Sequence, residues 1–358
     1  MTMSDRNFLD SYLESDFKPP NPGMEGPAFP DEGHVDWWRK RIAKEDGSVA
    51  ELIGALPHFR VPVTEGASRS ETYRRLVLAG ELDDSVGDRI EEIFGDPDGV
   101  ETSIRSHAAG DLPVLEFSAR ADFERAFRAL GSRCEPVEIP PSVHALYVAG
   151  LPNAVRAREM RERWCANGGD PAAWPAEMSR LRTADPTAFH DRLILMHPAP
   201  YAGIPADRVS ISLRDVEWTR ESQVLRLEHE FTHHATHRIL GSYRLHVHDE
   251  LLADLMGFTK AIGRWDADLF LLGLGIDGDR IVPGARLHAY VHSLHEGDIP
   301  SLLPILDKVA RNLESVADLF LSDDPILRLR RLLLLATNDL RRMTEAEWPA
   351  AFRTCVSS

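Results

Sequence analysis

Cysteine is scarce in this sequence of 358 residues, and the few cysteines are scattered. Cys134, Cys165 and Cys355 are odd in number, and no two of them form a C-x-x-C pair. This pattern excludes a disulfide framework and indicates a reducing compartment. We expect each of the three to behave as a small buried hydrophobic side chain.

The sequence also has fewer positively than negatively charged residues, and it has no long apolar run. The chain has 41 Lys and Arg against 57 Asp and Glu, a formal net charge of −16, so we expect no nucleic-acid partner. No apolar run reaches the roughly 18 residues of a membrane-spanning helix. The first residues lack the basic-then-apolar pattern of a signal peptide. Together these absences predict a cytoplasmic protein with no membrane partner.

The most informative pattern that is present is an H-E-x-x-H motif at residues 229–233, inside a predicted helix over residues 218–240. Residues four apart on a helix share a face, with Cβ atoms about 5–6 Å apart, so His229 and His233 can bind one metal ion. Glu230 lies beside the first ligand and can act as the base for a metal-bound water. The alternative is that these histidines are solvated or form a hydrogen-bonded core pair.

A second predicted helix begins 16 residues after His233, with the sequence D-E-L-L-A-D-L-M-G. A catalytic zinc usually takes three protein ligands and a water, and Glu250 is the candidate for the third ligand. His246 and His248 remain rivals, because the preceding loop could fold back. Asp254 follows Glu250 by one turn and can accept the free ring N–H of a ligand histidine. Carboxylates in so apolar a run need a buried partner.

These two segments resemble the gluzincin metallopeptidases, the thermolysin-like group, over about residues 228–258. The resemblance implies that His229, His233 and Glu250 bind one Zn²⁺ per chain. It also implies that Glu230 is the general base and that Asp254 orients a ligand histidine. The connection between the helices is slightly shorter than in the best-known members, which indicates a divergent branch.

The remaining pattern predicts an α+β fold in three parts. Residues 1–35 are a Pro/Gly-rich tail that is extended or packs late, residues 36–217 a mixed α/β lobe, and residues 218–358 a mainly helical lobe. The gluzincin resemblance implies that the zinc site lies in the cleft between the two lobes. Strands are predicted at residues 114–117, 137–139, 145–148, 193–196 and 208–213. Helices outside the two motif segments are predicted near residues 37–56, 70–78, 86–94, 120–130, 154–167, 266–274, 286–295, 302–321 and 326–340.

Two further features bear on a substrate. The alternating strand at residues 208–213 either borders the cleft and pairs with an extended peptide, or is an ordinary sheet strand. Tyr290 and His292, from the helix predicted at residues 286–295, and Tyr243, from the loop between the motif helices, are candidate donors to a developing oxyanion. Packing within the fold is the alternative explanation for each of them.

The sequence therefore predicts a zinc-dependent hydrolase, a metallopeptidase or an amidase, that acts on a peptide or a small amide. One alternative is a small-molecule tailoring enzyme with the same architecture. Another is a metal-stabilised interaction protein without activity, although a structural site would need ligands and no base at Glu230. The pattern does not predict an oligomeric state.

Overall fold

The prediction of an α+β fold is confirmed: a computed structural model combines one four-stranded sheet with many helices. None of the described helices has the length and apolar character needed to cross a bilayer. The structure describes residues 8–18, 29–44, 52, 54–81, 93–242, 245–278 and 280–357.

The main sheet has the strand order β1-β2-β4-β3. Its strands are β1 (Val100–Arg105), β2 (Leu112–Phe117), β3 (Ala145–Pro152) and β4 (His190–Met196). The β2–β4 pair is parallel and the other two pairs are antiparallel. A short ribbon of β5 (Ile276–Asp277) and β6 (Arg280–Ile281) lies further along the chain. Within the described strands, β3 is thus at an edge of the main sheet.

Helices of the first half of the chain surround this sheet. The α-helices are α1 (Phe8–Leu13), α2 (Gly33–Lys44), α3 (Glu71–Tyr73), α4 (Arg120–Ala126), α5 (Ala154–Ala166) and α6 (Trp174–Ala184). Shorter turns of 3₁₀ or π-helix are Pro57–Arg60, Ala67–Arg69, Arg74–Leu78, Pro97–Gly99, Phe127–Gly131, Pro171–Ala173, Tyr201–Gly203 and Ala206–Arg208.

From residue 215 onward the described chain is almost entirely helical. Its α-helices are α7 (Asp215–Ala235), α8 (Val247–Ala261), α9 (Ala267–Leu274), α10 (Leu287–Tyr290), α11 (Ile299–Glu314), α12 (Pro325–Ala336), α13 (Leu340–Met343) and α14 (Trp348–Ser357). The π-turn Thr236–Leu240 extends α7, and Ala317–Phe320 is a 3₁₀ turn.

The two faces of the sheet pack against different partners, because successive side chains of a strand point to opposite sides. On β2, Leu115 and Phe117 are fully buried in the core of the first half. Val114 faces the other way and packs with Phe231 of α7. Helix α7 therefore lies between the sheet and the helical core, which positions its motif residues at the boundary of the two halves.

Helices α7 and α8 approach each other closely at Gly257. This glycine is buried in α8, and a Cβ placed on it would lie 2.7 Å from the backbone oxygen of Leu225 on α7. No real Cβ comes so close to a backbone oxygen without movement of one helix. Gly257 thus sets the distance between the two helices that carry the motif residues.

Replacement of Gly257 by Ala should push α7 and α8 apart and lower the free energy of unfolding by about 1–3 kcal/mol, the usual cost of overpacking. Chemical denaturation monitored by circular dichroism measures the change. Gly297→Ala is the matched control, since a Cβ there meets no atom within 4 Å. Equal stability of the two variants would contradict the close approach.

Two of the predicted strands are wrong. Residues 208–213 form turns, in which Val209 donates to Ala206 O and Leu213 donates to Ile211 O. Local turns thus satisfy backbone groups that a sheet would have used, and the predicted peptide-pairing strand does not exist. Residues 137–139 are also not a strand, because prolines at 136, 140 and 141 remove backbone donors on either side.

The helix predicted at residues 286–295 is shorter than expected and ends at Tyr290. The Tyr290 carbonyl accepts a hydrogen bond from the Tyr12 hydroxyl at 3.2 Å, and the Leu294 amide bonds to Val291 O in a turn. The Tyr290 carbonyl thus bonds to a side chain 278 residues away in sequence, and the Leu294 amide, its partner in a longer helix, bonds within a turn instead. Other helix predictions overlap observed helices, except that most of the one at 86–94 lies outside the described residues.

The described part of the predicted tail, residues 8–18 and 29–35, is not extended throughout. Residues 8–13 form α1, and Leu9, Tyr12 and Leu13 are buried in the helical core. These three side chains follow the i, i+3, i+4 spacing of an amphipathic helix. The high Pro and Gly content of the surrounding residues concealed this signal.

Candidate metal centre

Helix α7 carries the H-E-x-x-H residues on a rigid, buried element. Its first turn is stabilised by Glu217, whose carboxylate accepts the Arg214 backbone N–H at 2.9 Å. Further along, Trp218 and Leu225 are fully buried. His229, Glu230 and His233 are each less than 10% exposed, so the motif lies inside the protein rather than on a solvated face.

Helix α8 supplies Glu250, and its start explains the role of His246. The Nδ1 atom of His246 accepts the His248 backbone N–H at 3.1 Å and so caps the helix. Its Nε2 atom lies 3.1 Å from Tyr12 O. Both ring nitrogens are thereby engaged away from Glu250. The His248 ring is fully buried and packs edge-on against Phe17 at 5.6 Å.

The three ligand candidates implied by the gluzincin resemblance converge. The Nε2 atoms of His229 and His233 are 3.0 Å apart, and each lies 3.5 Å from an oxygen of Glu250. Within the described residues, these three side chains form the group whose geometry suits a metal ion. Ligand atoms arranged tetrahedrally around one zinc are about 3.3 Å apart, so the donor spacing and the N, N, O donor set both fit zinc.

Asp254 fixes the orientation of His229. One carboxylate oxygen lies 2.8 Å from Nδ1 of His229, and the other accepts the Tyr201 hydroxyl at 2.6 Å. Because a carboxylate only accepts, Nδ1 carries the proton and Nε2 presents its lone pair to the cluster. Asp254 is fully buried, which holds this arrangement rigid.

Asp254→Asn should weaken zinc binding by about 10–100-fold, the usual range for the loss of a hydrogen-bond partner to a ligand histidine. The amide can present its NH₂ group to Nδ1 and favour the wrong tautomer. Competition with a chromogenic chelator measures the affinity. Wild-type affinity in a folded Asp254→Asn protein would exclude the orienting role.

Arg286 adds a positive charge beside Glu250, with Nη2 2.9 Å from Oε2. Burial tends to raise the pKa of Glu250, but the hydrogen bond from His233 and the positive charges of its neighbours outweigh this and lower it. Burial tends to lower the pKa of His233, but its contact with Glu250 outweighs this effect and raises the pKa to about 9. Glu250 is thus held as an anion, the form that binds metal.

Glu230 lines the same cavity as the three candidate ligands but is not one of them. Its Oε2 accepts the backbone N–H of Tyr147 at 2.7 Å, which fixes the carboxylate against the edge strand β3. Burial is the main reason that its pKa is raised, and the charge of Glu250 adds to the effect. A raised pKa brings a carboxylate closer to the range in which it can accept and return a proton near neutral pH.

A cavity of about 330 Å³ adjoins these groups. Its volume falls near the lower end of the range for small-molecule sites, about 300–1,000 Å³. Both halves of the chain contribute to its walls: Phe127, Pro140, Ser142, Val143, His144, Ala145, Leu146, Tyr201, Ala202, Arg226, His229, Glu230, His233, Leu245, Glu250, Arg286, Ala289 and Tyr290.

The three predicted oxyanion donors have different positions. Tyr290 lines the cavity, and its hydroxyl oxygen lies 3.4 Å from Nε of Arg286, which donates to it. Burial raises the pKa of Tyr290, so its proton remains available to donate. His292 is exposed and does not line the cavity, because the helix ends before it. Tyr243 lies outside the described residues.

Sequence reasoning missed three side chains of this site. Tyr201 and Arg286 reach Asp254 and Glu250 from distant parts of the chain, and no spacing in the sequence connects them. Arg226 is different, since it precedes Glu230 by one helical turn. Its place on the motif face of α7 could have been read from the i, i+4 relation.

The family of the chain follows from comparison with known proteins. Residues 2–347 match the Family of unknown function (DUF7005), and the chain belongs to this family. No curated protein and no solved structure gives a significant match.

Proposed function

We propose that this protein is a zinc-dependent hydrolase that cleaves an amide bond in a peptide or a small molecule. The observation that carries the proposal is the convergence of His229, His233 and Glu250, with ligand atoms within 4.8 Å of one another. Glu230 faces the same cavity. A purely structural site would need the ligands but not a carboxylate beside them.

Zinc bound by these ligands would supply a Lewis acid that polarises the scissile carbonyl and makes water more acidic. The remaining steps belong to the protein. Glu230 would accept a proton from the attacking water and deliver it to the leaving nitrogen. The C–N bond breaks, the water oxygen joins the carbonyl carbon, and the products are a carboxylic acid and an amine. Tyr290 would donate to the oxygen that becomes negative.

The cavity volume of about 330 Å³ suits a small amide substrate better than a peptide bond inside a folded protein. This keeps a small-molecule tailoring reaction as the second candidate function, with the same ligands and the same base. We also propose the cytoplasm as the compartment, because Cys134, Cys165 and Cys355 are all free thiols.

A substrate screen tests the proposal. Purified protein loaded with one equivalent of zinc is incubated with two libraries, one of short peptides and one of N-acyl amino acids, and new amines are detected with a fluorogenic reagent. Turnover should disappear on chelation and return with zinc. Amide cleavage that persists in metal-free protein would contradict a zinc hydrolase, as would the absence of cleavage in both libraries.

A further inference from the structure

Arg226 is a buried cation of the cavity wall whose hydrogen bonds do not neutralise its charge. The residue is 6% exposed. Its guanidinium donates to the backbone oxygens of His197 at 3.3 Å, Pro200 at 2.8 Å and Ala199. Carbonyl oxygens satisfy N–H groups but carry no net charge. Among the described residues, no carboxylate forms an ion pair with Arg226.

The other arginine of the cavity provides the contrast. Arg286 lies 2.9 Å from Glu250 and 3.9 Å from Asp254, so two carboxylates balance its charge. Buried charges are normally paired, because desolvation of a lone ion is costly. Arg226 is therefore suited to pair with a negatively charged group of a bound ligand.

A second cation, Arg286, lies close enough to Arg226 to repel it. Burial, followed by repulsion from Arg286, lowers the pKa of Arg226 to about 9, and the charge of Glu230, which forms no ion pair with Arg226, offsets only part of this effect. His144, also in the cavity wall, has its pKa lowered to about 3, first by burial and then by the charges of Arg226 and Arg120. Its ring stays neutral at physiological pH, so the positive charge at this part of the wall comes from the arginines.

The distance from Arg226 to the proposed metal centre limits the ligand. Arg226 precedes His229 by three residues and Glu230 by four, and one turn of helix spans about 5.4 Å. Because Arg226 also lines the same cavity as these two residues, a short ligand can contact both the guanidinium and the ligand cluster. The apolar side chains of the wall, Phe127, Val143, Leu146 and Leu245, suit an apolar substituent of that ligand.

We propose that Arg226 binds a free carboxylate of the substrate, and that the cavity accepts N-acylated apolar amino acids. In such molecules the carboxylate and the scissile amide nitrogen are attached to the same carbon. Hydrolysis would give a carboxylic acid and a free amino acid. This inference rests on the proposed function for the reaction, whereas the carboxylate subsite can be tested by itself.

The kinetic test compares release of acetate from N-acetylphenylalanine and from its carboxamide. The wild-type protein should prefer the free acid by about 10–100-fold in kcat/KM, the range for a charge-assisted hydrogen bond. Arg226→Gln should remove most of this preference through KM, and Arg226→Lys should restore part of it. Arg125→Gln is the matched control, because Arg125 also donates to backbone oxygens, those of Phe59 and Val61, and does not line the cavity.

A binding test separates the subsite from the reaction. Calorimetry on metal-free protein compares 3-phenylpropionate with 3-phenylpropanamide, and the carboxylate should bind at least about tenfold more tightly, in an Arg226-dependent manner. If no amide is cleaved but this preference holds, the hydrolase proposal fails and the subsite stands. If amides are cleaved and the wild-type protein treats acid and amide alike, the subsite is excluded, even should Arg226→Gln fail to fold.

Discussion

Glu230→Gln should lose turnover by about 10⁴-fold, at the upper end of the 10²–10⁴-fold range for general acid–base groups, because Glu230 also orients the attacking water. The amide keeps the size of the side chain and removes the base. Its carbonyl oxygen can still accept the Tyr147 N–H. Zinc content and thermal midpoint should stay near wild type. The measurement is kcat on a substrate from the screen, with zinc determined on the same preparation.

Glu228→Gln is the matched control for this experiment. Glu228 lies on the same helix two residues earlier, and its carboxylate is 3.1 Å from Arg328 on α12, outside the cavity. This variant should retain most of the turnover. Full activity in zinc-loaded Glu230→Gln would rule out the hydrolytic mechanism proposed here.

Glu250→Ala should reduce zinc affinity by more than about 100-fold, beyond the range for loss of an outer hydrogen-bond partner. Two buried imidazoles alone leave a site one protein ligand short. The change also leaves Arg286 without its 2.9 Å partner, which adds a repulsive charge beside the cluster. Competition with a chromogenic chelator, on protein shown to be folded, gives the affinity.

His246→Ala and His248→Ala are the controls for the third ligand. His246 caps α8 and His248 packs in the core, so both changes should lower stability yet leave about one zinc per folded chain. Release of the metal by either histidine variant, with retention in Glu250→Ala, would overturn the assignment of Glu250.

Local spacing explains which parts of the site could be predicted from the sequence. His229 and His233 share a face because the helix fixes the i, i+4 relation, and the same holds for Glu250 and Asp254 on α8. The contact between Asp254 and His229 joins two helices close in sequence. A contact of this kind needs two regular helices and a short connection between them, and the sequence pattern predicts both.

Contacts between distant segments could not be predicted in this way. Tyr201 reaches Asp254 across 53 residues and Tyr12 reaches Tyr290 across 278. The second contact lies at the point where the helix that was predicted to carry His292 ends. Alternation at residues 208–213 was also misleading, because local turns supplied the backbone partners that a neighbouring strand would have provided.

The most direct test of the central claim is the location of the metal itself. Crystals of zinc-loaded protein are measured on both sides of the zinc absorption edge, and the anomalous difference density is compared between the two data sets. The proposal predicts one peak per chain, at about 2.0–2.2 Å from Nε2 of His229, Nε2 of His233 and a carboxylate oxygen of Glu250. A peak at other residues, or none in protein that elemental analysis shows to contain zinc, would contradict it.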